Sequence, residues 1–302
     1  MAIINNILIK TIPLLPKKAV KIIADKYVAG INIKDVLNIT KELNLKKYET
    51  TIDLLGEHVS DINKTQMITK IYLDLLNEIS SLNLSSNISV KPTHIGLDIS
   101  LDTFRNNAFE LAQKADKVNS FVRFDMENSK TTDDTINVLK DLYKNHVNVG
   151  TVFQAYLKRS YSDLETLINQ PINFRLCKGI YNESSDIAYK DPQQINDNYL
   201  KIVELAFKSD SYICLATHDL GLIKKIYHLI DKYNVSNKKF EFQVLYGVPM
   251  HGWLKTHLKN NYKVRVYLPY GPEWYEYSIR RLRENPNIAG YVAKSIFSSR
   301  KY

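Results

Sequence analysis

The chain has 302 residues, of which 44% are hydrophobic and 24% are charged, and its formal net charge is +9. This composition supports a sizeable core and excludes an intrinsically disordered or fibrous chain. The ten glycines form no G-x-G pair, which excludes a dinucleotide-binding turn of the G-x-G-x-x-G type, and no P-loop is present.

The basic charge balance suits anionic ligands, nucleic acid or an anionic membrane surface. The lysines are scattered and no nucleic-acid-binding motif accompanies them, so nucleic acid is not an expected partner. Cys177 and Cys214 lie in predicted strands without zinc-ligand spacing, as is typical of thiols in a reducing cytosol. No metal site is predicted. No apolar run reaches the roughly 18–20 residues that span a bilayer.

The N-terminal segment is apolar and basic, and it has no acidic residue before Asp25. A targeting sequence would share this composition, but the segment lacks arginine and serine, and Pro13 and Pro16 interrupt an amphipathic helix. We therefore interpret residues 1–49 as an N-terminal helical arm that packs on a catalytic domain formed by residues 50–302.

From about residue 50, short β-branched runs alternate with longer stretches of helical period. Eight strands are predicted, at residues 50–56, 87–93, 120–125, 147–155, 172–179, 211–218, 239–245 and 263–269. Helices are predicted at residues 61–82, 101–118, 131–146, 192–208 and 220–233. This repetition indicates βαβ units and an α/β fold, and eight units predict a closed (β/α)8 TIM-type barrel instead of an open doubly wound sheet.

Polar side chains recur at the carboxyl ends of the predicted strands, where a barrel of this kind has its active site. Charged groups inside apolar strands are costly unless they are paired or used in function. The candidates at these strand ends are Lys91, Asp125, Met126, Glu127, Gln154, Tyr156, Arg175, Lys178, Thr217, His218, Asp219, Glu241, Gln243, Leu245 and Tyr267.

Several of these candidates also have a structural interpretation, which the sequence leaves open. Lys91 and Asp125 would suit an ion pair inside the barrel. Gln154 would suit a hydrogen-bonded core position, and Met126 would suit core packing. Thr217 and His218 would suit the end of a strand and the cap of the next helix.

Two positive residues of the fifth predicted strand, Arg175 and Lys178, have no acidic residue nearby in sequence. We therefore expect them to face an anionic ligand, such as a phosphate or a reduced flavin.

The last predicted helix carries two adjacent arginines. Spacings of three and four residues place Trp274, Tyr277, Arg281 and Glu284 on one face. Arg280 follows Glu276 by four residues, the favourable order for a surface pair, but Arg281 has no acid in that position. Two arginines about 100° apart on a helix can converge on one carboxylate.

Six strings occur in order from about residue 50 to 290: FVRFDMENS, GTVFQAYL, FRLCKGIYNE, LATHD, FEFQVLYGV and VYLPYGPEWYEYSIRRLRENP. Together they resemble the FAD-dependent proline dehydrogenase family, in its short monofunctional bacterial form. The resemblance implies a distorted (β/α)8 barrel that binds FAD non-covalently. It also implies oxidation of L-proline to Δ1-pyrroline-5-carboxylate, the first step of proline catabolism, with electrons passed to a quinone.

The resemblance also implies roles for individual residues. Asp125 and Arg175 would be catalytic, with Arg175 near flavin N5. The proline carboxylate would be held by Lys91, Arg280 and Arg281. The proline pocket would be shaped by Tyr181, Leu245, Tyr267 and Glu284. The FAD contacts would come from Met126, Gln154, Arg175, Lys178, Gly179, Ile180, Thr217 and His218.

The sequence departs from the family pattern at four positions. Ile180 replaces the usual alanine, which matters little if the backbone makes the flavin contact there. Pro92 and His94 are unusual in the segment that follows Lys91, and Cys177 replaces a common valine.

The expected partners are L-proline, a quinone and, peripherally, an anionic membrane. The expected location is the cytoplasm, with contact at the inner membrane. Two alternative functions are a flavin barrel that oxidises another secondary amine or a folate, and a catalytically silent membrane-surface binding protein. The paired arginines favour an amino-acid substrate, and the presence of Lys91, Asp125 and Arg175 disfavours a silent protein.

Overall fold

Eight parallel strands close into a barrel in chain order, which confirms the fold predicted from the sequence. The computed structural model describes residues 17–284, except for the side chains at positions 18, 19, 22, 23 and 280–284. The strands are β1 (Glu49–Leu54), β2 (Ser86–Val90), β3 (Val122–Phe124), β4 (Val149–Gln154), β5 (Asn173–Cys177), β6 (Tyr212–Ala216), β7 (Phe240–Leu245) and β8 (Lys263–Tyr270). Strand β1 pairs in parallel with both β2 and β8, and this pairing closes the barrel.

Helices cover the outside of the barrel and contribute its N-terminal arm. The described helices are α1 (Lys17–Ala24), α2 (Ile33–Leu45), α3 (Ile62–Ser81), α4 (Leu101–Lys117), α5 (Thr132–Leu142), α6 (Ser160–Leu167), α7 (Pro192–Phe207), α8 (Leu220–Lys232), α9 (Trp253–Lys259) and α10 (Trp274–Glu284). Asp191 caps α7 and precedes Pro192, as the sequence predicts, and its Oδ1 accepts from the Gln194 N–H at 2.9 Å. In the described range 17–284, no helix is long and apolar enough to cross a membrane.

The predicted element boundaries need correction at several places. Strand β3 spans residues 122–124 in place of 120–125, and β4 begins at residue 149 in place of 147. Helices α6 and α9 were not predicted, because runs of 8 and 7 residues show little helical period. A sequence run that favours extended backbone becomes a strand only where a neighbouring strand pairs with it.

The helical arm packs against the last helix. Ala24, Val28 and Leu55 are buried against the side chains of Trp274 and Tyr277. The aromatic residues next to the two arginines therefore have a packing role, and this contact fixes the start of α10 over the barrel.

The chain after α1 passes close to the loop that follows β7. Gly247 has a φ of +78°, and a Cβ built there would lie 1.7 Å from the carbonyl oxygen of Lys26. Only glycine allows this approach of two backbones. The backbone N–H of Ala29 also donates to the Pro269 carbonyl at 2.7 Å, which joins the arm to β8.

Polar side chains line the barrel axis, because alternate residues of each strand point inward. The strand register places the inward-facing residues of neighbouring strands side by side. Asp53 lies beside Ser89, Arg175 beside Cys214, and Cys214 beside Glu241. Bulky branched side chains usually fill this position in (β/α)8 barrels. Here charged and polar groups take a large part of it.

An ion network fills the half of the barrel that lies toward the amino ends of the strands. Arg265 Nε donates to Glu241 Oε1 at 2.6 Å, and Arg265 Nη1 donates to the Thr50 carbonyl at 2.7 Å. Arg265 also pairs with Glu49. Tyr212 donates its O–H to Glu241 at 3.1 Å. Burial would raise the pKa of Glu241, but the Arg265 charge and its hydrogen bonds outweigh burial and lower that pKa to about 2.

Arg265→Met should destabilise the fold strongly, because it leaves the Glu241 carboxylate buried without its cation. Removing one partner of a buried pair costs about 3–5 kcal/mol of unfolding free energy. Urea unfolding at several pH values tests this. In the parent, the stability from Glu241 is present above an unfolded pKa of about 4.3 and is lost as the pH falls toward 2.

In the variant, the Gln243 hydrogen bond and the Arg123 charge still oppose burial but the Arg265 charge does not, so the folded pKa of Glu241 should lie well above its value in the parent. The loss of unfolding free energy as the pH falls from 7 toward 2 should then be smaller than in the parent. The double variant with Glu241→Leu is the matched control and should recover part of the loss. A pH profile equal to that of the parent would contradict this account of the network.

Candidate active site

An ion-pair cluster lies at the carboxyl end of the barrel and joins β1, β2, β3 and β5. Lys91, directly after β2, has its Nζ 3.0 Å from both carboxylate oxygens of Asp53. The same Nζ lies 3.7 Å from Asp125 Oδ2. Arg175 Nη1 lies 3.3 Å from Asp125 Oδ1. Three residues selected from the sequence, Lys91, Asp125 and Arg175, are therefore brought together at one point.

Asp125 is the centre of this cluster. Ser89 donates its hydroxyl to Asp125 Oδ1 at 2.6 Å, and Tyr267 donates its O–H to Oδ2 at 3.4 Å. Arg175 Nη2 donates to Ser89 Oγ at 2.7 Å, and its guanidinium lies 4.9 Å from the Tyr267 ring centroid. The carboxylate thus orients both cations and the Tyr267 phenol.

The cluster is largely shielded from water, because its side chains are only 2–13% exposed. Burial would lower the pKa of Lys91, but the charges of Asp53 and Asp125 outweigh burial and raise that pKa above its usual value. The Asp125 carboxylate likewise raises the pKa of Arg175 against the effect of burial. Both cations are matched by the two carboxylates, so these four side chains together carry no net charge.

Two members of the cluster, Asp53 and Ser89, were not selected from the sequence. The first predicted strand ran to residue 56, which put Asp53 in its interior instead of at its end. In the structure β1 ends at Leu54, and Asp53 is paired with Ser89 in the ladder. A single acid in a run of apolar and β-branched residues was the available signal for Asp53.

Lys91 is followed by a turn that fixes the start of the next segment. Pro92 opens a short 3-10 helix, and the Thr93 N–H and hydroxyl donate to the two carboxylate oxygens of Glu127 at 2.8 and 2.7 Å. His94 is buried edge-on against Tyr72. Burial and the nearby lysines lower its pKa to about 3, so this imidazole is neutral. Pro92 and His94, two of the four residues that depart from the family pattern, therefore pack in the turn that supports Lys91.

Both positive residues associated with β5 have acidic partners that are distant in sequence. Arg175 pairs with Asp125, and Lys178 Nζ lies 2.7 Å from Asp219 Oδ2. These pairings do not test the expectation that both cations face an anionic ligand, which stays a prediction. Strand ends that meet at the carboxyl end of the barrel bring these acids into range, which spacing along the chain cannot show.

Thr217 and His218 connect β6 to its neighbours. Thr217 Oγ1 accepts from the Asp219 N–H at 3.1 Å, and Asp219 caps α8 through its own carboxylate. His218 Nε2 accepts from the Leu245 N–H at 2.9 Å. Burial lowers the pKa of His218 to about 4, so the ring is neutral and can accept this bond.

The remaining cofactor candidates lie just after β3, at the end of β4 and in the segment after β5. Met126 is buried in the core, and Gln154 Nε2 donates to the Glu127 carbonyl at 2.8 Å. Gly179 has a φ of +109°, and a Cβ there would lie 2.0 Å from the Tyr156 ring. Ile180 is 50% exposed.

Of the residues expected to shape a substrate pocket, Tyr181 packs against Tyr156, Leu157 and Ala188. The arginines at positions 280 and 281 and the glutamate at 284 lie on α10, and their side chains are outside the described part of the structure.

Comparison with known proteins identifies a family. The sequence matches the family model described as "Proline dehydrogenase" over residues 36–294. It is 33% identical over 276 residues to Proline dehydrogenase 2 of Bacillus subtilis, covering 91% of each chain. It is 30% identical over 279 residues to Proline dehydrogenase of Deinococcus radiodurans, covering 91% of this chain and 90% of that relative.

The fold is similar to that of proline utilization A from Bdellovibrio bacteriovorus, with a TM-score of 0.81 and 22% sequence identity. The match covers 93% of this chain and 34% of that one, so this chain spans about a third of the longer protein. At this identity the similarity shows the fold alone.

Asp53→Asn should destabilise the protein, because Asp125, at 3.7 Å, would be the one carboxylate left within ion-pair distance of Lys91 among the described residues. Breaking a buried pair of this kind costs about 3–5 kcal/mol of unfolding free energy, measured by urea denaturation. The double variant with Lys91→Met should lose less than the sum of the two single changes. Asp141→Asn, which breaks surface pairs with Lys144 and Arg105, is the matched control and should change stability little. Equal effects at positions 53 and 141 would contradict the assignment.

Proposed function

This chain belongs to the proline dehydrogenase family, and on that premise we propose that it oxidises L-proline to Δ1-pyrroline-5-carboxylate, the first step of proline catabolism. The observation that carries the proposal is the buried cluster of Lys91, Asp125 and Arg175 at the carboxyl end of the barrel. Barrels of this kind have their active sites at that end.

We propose FAD, bound without a covalent link, as the cofactor. The residues present fit this group. Arg175 is only 8% exposed, and its Nε has no partner among the described residues, so a donor remains for an acceptor in the site. When bound, FAD supplies the acceptor for the hydride that leaves proline C5. The residues that would hold it are Met126, Gln154, Arg175, Lys178, Gly179, Ile180, Thr217 and His218.

The protein supplies orientation and fixed charge. Asp125 holds Lys91 and Arg175 in place, and both cations stay protonated. A guanidinium fixed beside the cofactor favours negative charge on it, because no reorganisation is needed when that charge develops. The neutral ring of His218 adds no competing charge.

Substrate recognition requires positive charge beyond the described cluster. Lys91 and Arg175 are already matched by Asp53 and Asp125, so a proline carboxylate placed beside them would be an unmatched anion. The sequence supplies two further cations on α10, at positions 280 and 281. We propose that these arginines and Lys91 hold the carboxylate. The apolar ring would lie in a pocket shaped by Tyr181, Leu245, Tyr267 and Glu284.

We propose that the electrons pass to a quinone, and that the protein works in the cytoplasm with peripheral contact at the anionic inner membrane. The net charge of +9 supports this contact. We expect the protein to sediment with anionic vesicles, and we expect this binding to weaken at high salt.

Anaerobic addition of L-proline should bleach the visible absorbance of the flavin-loaded protein. Acid precipitation should release the colour into the supernatant as FAD.

Asp125→Ala removes charged hydrogen bonds worth about 1.5–3 kcal/mol, so turnover should fall about 10- to 150-fold. Flavin content and melting temperature should fall less.

Three results would contradict these proposals. Colour retained in the pellet would indicate a covalent link, and release of FMN would overturn the choice of FAD. Normal turnover in the Asp125 variant would remove its assigned role. A screen of other secondary amines and folates under the same conditions is the control for the substrate.

Arg281→Met should weaken proline oxidation, because methionine keeps much of the apolar stem but loses the fork of donors. A hydrogen bond to a charged group contributes about 1.5–3 kcal/mol, so kcat/KM for proline should fall about 10- to 150-fold. Arg281→Lys should restore only part of this loss, because an ammonium group cannot bind a carboxylate bidentately.

Pyrrolidine is the control substrate for Arg281, since it has the ring of proline without the carboxylate. Its oxidation by the parent protein should be slow, and the Arg281→Met variant should reduce it little further. Equal damage to both substrates, together with a lower melting temperature, would show that Arg281 supports the fold instead of the substrate.

A further inference from the structure

A basic pocket opens at the amino end of the barrel, at the opposite end from the candidate active site. It is a cavity of about 720 Å³ whose lining includes Lys47, Lys238, Lys259, Lys263, Tyr212 and Tyr262. These residues lie in the turns before β1, β7 and β8, at the last residue of α9, or at the first residue of β6 and β8. Lys263 is four residues before Tyr267 on β8, which places the pocket about 13 Å along the strand from the active-site cluster.

Three of the four lysines have no acidic partner among the described residues. Lys47, Lys238 and Lys259 are exposed, and no described carboxylate lies within ion-pair distance of them. The neighbouring Lys239 differs, because its Nζ lies 3.2 Å from Asp210. Lys263 pairs with Glu49 at 3.3 Å. The pocket therefore gathers three lysines with which no described carboxylate forms an ion pair.

The backbone at Lys47 gives a second, independent indication. Five turns have a residue of positive φ two positions after the end of a helix and shortly before a strand. Four of these turns use Asn83, Asn119, Asn234 and Asn261, with φ of 47–57°. Asparagine tolerates this conformation better than other non-glycine residues. Lys47 adopts it with φ 65°, so a lysine occupies a position for which asparagine is the better backbone choice.

Aromatic rings provide the uncharged part of the pocket lining. Lys263 Nζ lies 5.8 Å from the Tyr212 ring centroid, and Tyr262 packs edge-on against Phe240 at 5.0 Å between centroids. Asn237 donates to the Asn261 carbonyl at 3.2 Å, which ties the turns before β7 and β8 together. The turn that carries Lys238 is thus held against the turn that follows Lys259.

We propose that this pocket binds a phosphate-bearing anion, supplied by a phosphorylated small molecule or by a phospholipid head group. Ammonium groups are compact point charges that bind phosphate oxygens from several directions. The unmatched charge would be neutralised by such a ligand, and the tyrosine rings would contact its uncharged part. The inference does not depend on proline oxidation, because the pocket shares no residue with the catalytic cluster.

Calorimetric titration of the flavin-loaded protein with inorganic pyrophosphate tests whether the pocket binds this anion. The double variant Lys238→Gln/Lys259→Gln should bind pyrophosphate about 2- to 30-fold more weakly, because each exposed ion pair contributes modestly. The matched control is Lys201→Gln/Lys224→Gln, which removes two exposed lysines of α7 and α8 outside the pocket and should leave binding unchanged. Bleaching by L-proline should persist in both double variants, as a check that they are folded.

Lys47→Asn separates a ligand role from a structural role. It should weaken pyrophosphate binding while raising the melting temperature by about 1–3 °C, since asparagine suits the positive φ. A purely structural lysine would not give these opposite changes. A lower melting temperature together with unchanged binding would overturn the role of Lys47 in the pocket.

Vesicles of phosphatidylcholine with and without phosphatidylglycerol identify the source of the phosphate. Sedimentation with the anionic vesicles, reduced by Lys238→Gln/Lys259→Gln and by added pyrophosphate, would support a lipid head group. Pyrophosphate binding without vesicle binding would support a soluble phosphorylated ligand. Absence of both, or equal loss in the control double variant, would overturn the proposal.

Discussion

The closed barrel turns alternate strand residues toward an interior that excludes most water, so each charge placed there requires an opposite charge or hydrogen-bond acceptors within a few ångströms. Arg123 meets this requirement with hydrogen bonds to Thr151 and Asn173, and two networks meet it with opposite charges. At the carboxyl end, Lys91 and Arg175 are matched by Asp53 and Asp125. At the amino end, Arg265 is matched by carboxylates from β1 and β7. The strand register that closes the barrel also brings these partners together.

This requirement gives the candidate active site its rigidity. Asp125 accepts contacts from four side chains, so neither the lysine nor the arginine can leave without exposing an unmatched charge. Charges held in this way are already oriented before a substrate binds, which is the condition for electrostatic stabilisation of a developing charge. The cluster is also internally neutral, so recognition of an anionic substrate needs additional cations. The fold supports α10, which carries two arginines in sequence, by packing Trp274 and Tyr277 against the N-terminal arm.

The two ends of the barrel have different charge environments. At the carboxyl end the lysines near the strands are paired, as with Lys178 and Asp219. At the amino end Lys47 and Lys238 stand in short turns with no described carboxylate within ion-pair distance. A (β/α)8 barrel separates its two ends by the length of its strands, so a site at one end can evolve without disturbing the chemistry at the other. The basic pocket and the candidate active site lie at opposite ends of the barrel.

The sequence by itself determined the fold class and the family, because hydrophobic periodicity and short motifs are local properties of the chain. It also identified Lys91, Asp125 and Arg175, since charged residues in apolar strands are visible without knowing their partners. Only the tertiary structure decided that Asp53 joins them and that Lys178 faces Asp219. Such pairings depend on which residues lie side by side in the ladder and on where each strand ends. Barrel closure sets both, and it is a property of all eight strands together that no single segment of the sequence contains.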